Sequence, residues 1–281
     1  MNGTAANIEG SVLVRRETAD ACTETSLGPG KSCEVAVAYG PTLAGSDTAT
    51  LSAGGRKTGA ITGLVLTGIG VIPRHIYWSN GNGISRADVE GQNVSQFITI
   101  PGPFGLAVDS QHIYWTNGVS GVSDTIGRAD LDGQNVNQSF ITGANFPEGV
   151  AVDSQHIYWT NLGSGTIGRA DLDGQNVNQS FITGLDNPRG LAVDSSHIYW
   201  TAWAIGKIGR ADLGGGNVNQ NFIISNGQSN GVAVDSGHVY WTIISFPKIG
   251  AIGRADLDGG NVSNSFITDE HNPVGIAVDP N

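Results

Sequence analysis

Apolar residues recur along this chain in short runs set off by Gly, Asn, Asp and Ser, and their spacing is that of strands. In His156-Ile157-Tyr158-Trp159-Thr160 the alternation puts Ile157 and Trp159 on one face, with His156 and Tyr158 on the other. Close copies of this stretch are centred on Trp78, Trp115, Trp159, Trp200 and Trp241, at spacings of 37, 44, 41 and 41 residues. Such a period matches one four-stranded propeller blade. Four strand-like pieces per repeat follow in fixed order, in the third copy Gly149–Asp153, His156–Thr160, Thr166–Leu172 and Gln179–Thr183, taken from the axis outward. Between the last two lies Asp173-Gly174, a tight-turn signal.

Counting the pieces fixes the ring. The inner strand starts at Gly105, Gly149, Gly190, Gly231 and Gly275. The first copy of the second strand, His75 to Ser79, has no inner strand ahead of it, and Gly275–Asp279 has no second strand after it. Together the two leftovers make one blade. The expectation is an all-β fold over 71–281, a five-bladed propeller closed by its C-terminal strand, with a truncated six-bladed ring as the competitor. Its five repeat tryptophans are core residues, each able to bury roughly 150–250 Å².

Residues 1–70 read as a small all-β sandwich, with strands Ser11 to Arg15, Ser32 to Tyr39, Ser46 to Ser52 and Ile61 to Thr67 between turns such as Gly28-Pro29-Gly30. Cys22 and Cys33 are the only cysteines. Two thiols lack the further ligands of a structural zinc site, and the spacing is not Cys-x-x-Cys. A disulfide is the expectation; it would add roughly 3 kcal/mol and implies an oxidising compartment.

A net charge of −11, from 25 acidic and 14 basic residues, argues against nucleic acid or anionic membrane as a partner. No run of 18 apolar residues is present to span a membrane. The start, Met1-Asn2-Gly3-Thr4, lacks the regions of a signal peptide, so either the chain is cytosolic or the sequence begins inside a longer precursor, and the second is the expectation.

His-Ile-Tyr-Trp-Thr, together with Ile-Gly-Arg-Ala-Asp-Leu-Asp-Gly and Gly-Leu-Ala-Val-Asp, resembles the YWTD repeats of the low-density lipoprotein receptor propeller family over residues 74–279. Receptor propellers have six blades, and the Asp that ends their motif is here Asn80, Asn117, Asn161, Ala202 or Ile243, so that family's ligand preferences do not carry over. The stretch from Leu27-Gly28-Pro29-Gly30-Lys31-Ser32-Cys33 to Leu66-Thr67-Gly68-Ile69-Gly70 resembles bacterial immunoglobulin-like domains of the choice-of-anchor and Hydin type. An immunoglobulin-type sandwich takes about 100 residues. With 70 residues here, the expectation is a domain that lacks N-terminal strands.

A residue present in every blade does the same structural job five times. This covers His75, His112, His156, His197 and His238, and the Arg and Asp of each Gly-Arg-Ala-Asp. The Asp ending each inner strand, such as Asp153, is expected to cap the turn that follows. Asp-Leu-Asp-Gly segments are similar to calcium loops but lack the remaining ligands, so they read as turns. No metal or cofactor motif is present, and no nucleophile motif.

Binding belongs where repeats differ on a fixed scaffold. Two loop sets qualify, outer-to-inner and second-to-third, and both are expected at one end of the ring. Before the inner glycine stand Phe104, Glu148, Arg189, Asn230 and Val274; Trp203 and Phe246 are aromatic candidates, and His271 is a further candidate. Such a rim suits a sugar or a peptide. The leading expectation is a non-catalytic, secreted scaffold or interaction protein at the cell surface. It would self-assemble into a filament when a strand from another copy completes the N-terminal domain. The alternative is an adhesin module that binds carbohydrate or peptide through the variable loops. A propeller lyase or glycosidase is the third reading, and Glu148, His271, Asp186 and Asp269-Glu270 are its non-repeat titratable groups.

Overall fold

The computed structural model describes residues 8–9, 45–54, 61–70, 75–118, 124–244, 250–270 and 273–278. The chain divides into two compact units, 1–75 and 76–281. In the first, β1 (Ile8–Glu9), β2 (Gly45–Gly54) and β3 (Ile61–Gly70) form one antiparallel sheet, with β2 and β3 paired from Gly45↔Gly70 to Gly54↔Ile61. These two cover the strands expected at Ser46–Ser52 and Ile61–Thr67. The other strands of the expected sandwich, with Cys22 and Cys33, lie outside the described residues.

The second unit is a five-bladed β-propeller. Its blades are β4 (His75–Asn80), β5 (Gly83–Asp88) and β6 (Ser95–Thr99); β7 (Leu106–Val108), β8 (His112–Asn117), β9 (Thr125–Asp130) and β10 (Asn137–Thr142); β11 (Pro147–Val152), β12 (His156–Asn161), β13 (Thr166–Asp171) and β14 (Asn178–Ile182); β15 (Pro188–Val193), β16 (His197–Ala202), β17 (Lys207–Asp212) and β18 (Asn219–Ile224); and β19 (Gln228–Val234), β20 (His238–Ile244), β21 (Gly250–Asp256) and β22 (Ser263–Glu270). Each four-stranded sheet is antiparallel in chain order.

The repeat sequence explains the blade. Trp159 pairs with Gly168 across β12 and β13, and its indole lies over the glycine. A Cβ on Gly168 would stand 2.2 Å from the ring, so the Ile-Gly-Arg glycine, present in four of the five blades with Ser85 in the first, is the floor of the Trp slot. Trp115, Trp159, Trp200 and Trp241 are all fully buried there. Blades are then joined sideways. Arg86, Arg128 and Arg210 stack on Phe97, Phe140 and Phe222 of their own outer strands and donate to the carbonyls of Leu131, Leu172 and Leu257 in the next blade, at 3.2, 3.1 and 2.7 Å.

The closing segment lies only partly within the described residues. Residues 273–278 take no strand, so the blade of β4 has three strands among the described residues. Val274 nonetheless occupies the next inner position, where its carbonyl accepts from Thr242 Oγ1 at 3.4 Å. Ile76 and Trp78 are 49% and 37% exposed, whereas Ile157 and Trp159 are at 0%. Among the described residues no inner strand is assigned beside β4.

Candidate functional site

The two ends of the ring differ in what their loops do. At one end the inner-to-second turn and the third-to-outer turn are bonded together, as in Leu172 N–H to Gln155 O at 3.2 Å. These turns are held by repeat residues. Asp153 Oδ1 accepts the amides of Gln155 and His156, both at 2.7 Å, and its Oδ2 accepts the Tyr158 hydroxyl at 2.9 Å, so the expected cap is formed. His156 lies 3.7 Å from both Asp153 and Asp171, an arrangement repeated around His112 and His238 and, at 3.7 and 4.0 Å, around His197. In Asp-Leu-Asp-Gly the carboxylates are engaged within the turn: Asp171 accepts Asn176 Nδ2 at 2.7 Å and Asp173 accepts the Gln175 amide at 2.9 Å. The histidines and these aspartates are therefore turn clamps.

Burial raises the Asp109 carboxyl, but the amides of Gln111 and His112, the Tyr114 hydroxyl and the nearby His112 outweigh it and hold the group below its usual range. Asp235 is lowered against the same opposing effect of burial, by Gly237, His238 and Tyr240. Tyr114, Tyr158 and Tyr199 are raised, first by burial and then by the aspartate that each hydroxyl faces.

At the other end the variable loops meet. Leu162 and Gly163, between β12 and β13, donate to Phe146 and Asn145 of the preceding connection, and Leu185 of the following one donates to Gly165. Second-to-third and outer-to-inner loops thus share one face, as expected. Two residues here hold left-handed backbone, Phe146 (φ 49) and Asn187 (φ 46). For Phe146 that is a costly conformation, of the kind concentrated at functional loops.

At the axis of this face lies a cavity of about 340 Å³, lined by residues of all five blades: Ser79, Pro103, Phe104, Gly105, Glu148, Gly149, Arg189, Gly190, Asn230, Gly231 and Val274. Inner strands approach so closely that a Cβ on Gly149 would meet the Arg189 carbonyl at 2.3 Å, which explains the inner glycine and presents the residue before it at the mouth. Thr116, Thr160 and Thr201 each donate at 2.8 Å to the neighbouring inner carbonyl, of Glu148, Arg189 and Asn230, and Ser79 donates to Phe104 at 3.0 Å. The mouth is a rigid backbone ring with side chains that change from blade to blade.

Its charge is concentrated in one pair. Arg189 Nε is buried 3.3 Å from Glu148 Oε2, at an angle short of a hydrogen bond. The guanidinium stacks 4.2 Å from the Trp203 ring centroid. Burial pushes the Glu148 carboxyl up, partly offset by the Arg189 charge. The structure therefore brings Phe104, Glu148, Arg189 and Asn230 together and sets Trp203 behind Arg189. Phe246 and His271 lie outside the described residues. Ser79 and Pro103 were not singled out from sequence; their alignment with Thr160 and Pro147 is the signal that would have placed them. Exposed Phe104 and Val274 line the cavity with the pair.

Comparison with known proteins supports the architecture. Residues 155–195 match the sequence model of the low-density lipoprotein receptor repeat class B family. No curated protein sequence matches the chain. Among solved structures, the chain is similar to one of the nidogen/laminin complex, with 25% identity over 73% of this chain and 81% of that one and a TM-score of 0.61. It is also similar to a catalytically inactive virginiamycin B lyase from Staphylococcus aureus with quinupristin, at 19% identity, covering 84% and 86% of the two chains with a TM-score of 0.56. A gluconolactonase from Xanthomonas campestris gives 21% identity, 63% and 66% coverage and a TM-score of 0.50. The two enzymes share the fold alone, and the chain carries a YWTD-type repeat on a five-bladed propeller.

Proposed function

We propose that this chain is a non-catalytic, extracellular interaction module that seats a protein partner on the axial mouth of its propeller. The observation that carries the reading is convergence: the residues that vary between otherwise near-identical blades, Phe104, Glu148, Arg189, Asn230 and Val274, all line one cavity. Exposed Phe104 and Val274 line it together with an Arg–Glu pair whose guanidinium stacks on Trp203, the composition of an interface centre. The receptor-type repeat and the likeness to a propeller in the nidogen/laminin complex support a protein as ligand and an extracellular setting. Among the described residues no helix is long and apolar enough to cross a membrane. At the mouth Glu148 lies 3.3 Å from Arg189, and the charged pair is read as a recognition element.

The test is photo-crosslinking in the native surroundings, with a reactive side chain placed at Phe104 or, as a control at the opposite end, at Val177. A protein captured from Phe104 and absent from Val177 is the expected result. Capture of a glycan alone would move the reading to a carbohydrate-binding adhesin, and equal capture at both positions would overturn the assignment of the mouth.

A further inference from the structure

The approach to the outer strands carries a triplet that the ring itself does not use. Among the described residues Asn-x-Ser is written four times, as Asn93-Val94-Ser95, Asn137-Gln138-Ser139, Asn178-Gln179-Ser180 and Asn261-Val262-Ser263. With any residue but proline in the middle, this is an acceptor sequence for a sugar on the asparagine amide. All four asparagines are exposed, yet they are of two kinds.

Asn137 and Asn178 open β10 and β14. Their Oδ1 atoms accept the backbone amides of Ser139 and Ser180, each at 3.0 Å, so the side chain is held through its oxygen and no hydrogen bond holds Nδ2. Asn93 and Asn261 instead take left-handed backbone, at φ 53 and 49, and their Nδ2 donates to Asp88 at 2.8 Å and to Asp256 at 2.6 Å. Asn135 and Asn176 make the same bond in their own blades, so an asparagine at this position is a turn residue. The remaining blade separates the turn from the hydroxyl. Asn219 accepts the amide of Asn221 at 3.0 Å in the same way, with no serine present. The turn therefore needs an amide at its third position and not a hydroxyl, and the hydroxyls of Ser139 and Ser180 have no task in the fold.

We propose that Asn137 and Asn178 are acceptors for an N-linked sugar, and that Asn93 and Asn261 are not. The donor is an activated sugar whose anomeric carbon is joined to the phosphate of a lipid or a nucleotide. Nδ2 forms a bond to that carbon as the carbon–oxygen bond to phosphate breaks; the phosphate leaves with the electron pair, and one amide proton passes to a base of the transferase. An Nδ2 already donated to a carboxylate must first give up that charge-assisted bond. Both sites pair with the Gly-Arg-Ala-Asp arginine of the third strand, Asn137 with Arg128 and Asn178 with Arg169, on the side of the clamped turns. Sugars there leave the axial mouth bare. Because β10 and β14 are the last strands of their sheets, the sugars also cover edges that could otherwise template another chain.

The test is peptide mass spectrometry of the chain from its native surroundings, read at Asn93, Asn137, Asn178, Asn219 and Asn261. Sugar at Asn137 and Asn178, and at none of the other three, is the expected result; an oligosaccharide identifies a lipid-linked donor and a single hexose a nucleotide-linked one. Bare Asn137 and Asn178 would overturn the proposal. Sugar at Asn93 or Asn261 would show that the folded turn does not select, and would overturn the assignment as well. Ser139→Ala and Ser180→Ala keep the amide that holds the turn, and each is expected to abolish modification at its own site in a chain that melts cooperatively. Conversely, Asn221→Ser is expected to bring sugar to Asn219, and a bare Asn219 in that variant would contradict the geometric rule. Modification here and binding at the mouth fail separately, since each is read at its own end of the ring.

Discussion

At the scale of single residues, the repeat is a set of mutual requirements. Gly168 exists for Trp159: its Cβ would stand 2.2 Å from the indole, in a slot that is fully buried. Gly168→Ala is expected to destabilise the propeller by about 3 kcal/mol or more through overpacking. Gly214, with nothing within 4 Å of its would-be Cβ, is the control whose Ala variant leaves the urea midpoint unchanged. Asp153→Ala removes the acceptor for two amides and the Tyr158 hydroxyl, and a loss of about 2–3 kcal/mol is expected in the same measurement. An unchanged midpoint would show that the turn holds itself without the carboxylate. These pairings were only half legible in sequence. Asp before a tight turn has a local signature, so its capping role was readable. The role of Gly168 was not, because it is set by a ring on the neighbouring strand.

The strand-and-turn scale carries the pH response. Asp109 and Asp235 titrate below their unfolded value, so the stability they add is complete above about pH 4 and is lost as pH falls through their folded values. The tyrosines behave oppositely as acids. Tyr114, Tyr158 and Tyr199 are raised from 10.0, so the unfolded chain gives up these protons first and stability declines as pH rises above about 10. Thermal melts across pH are expected to show a plateau between these limits; a midpoint that rises beyond pH 10 would contradict the Tyr–Asp clamps. Element order was fully legible from the 41-residue beat and the Trp-centred strands. What sequence did not show was that 273–278 are assigned no strand. Gly275–Asp279 has the pattern of the four inner strands, with Ile276 in place of Leu or Val.

For the whole molecule, the account rests on a division of labour between the two ends of the propeller. One end is clamped by repeat residues that leave little free chemistry, and the other gathers the residues that break the repeat. The gathering was foreseeable in outline, because Phe104, Glu148, Arg189 and Asn230 share one repeat position and a ring brings equal positions to one axis. The Glu148–Arg189 pair and the Trp203 stack were beyond reach, since they depend on neighbouring blades and on a short 3₁₀ turn at Trp203–Ile205 that replaces the loop of the preceding blade. If this mouth seats a partner, Arg189 is its anchor, and losing an anchor of this kind costs about 2 kcal/mol or more. The deciding measurement is a calorimetric titration of the protein captured at Phe104 against the unaltered chain and its Arg189→Ala variant, after matched melts confirm that both are folded. Binding weakened at least about tenfold in the variant is the predicted result; equal affinity of the two would contradict the axial mouth as the binding site.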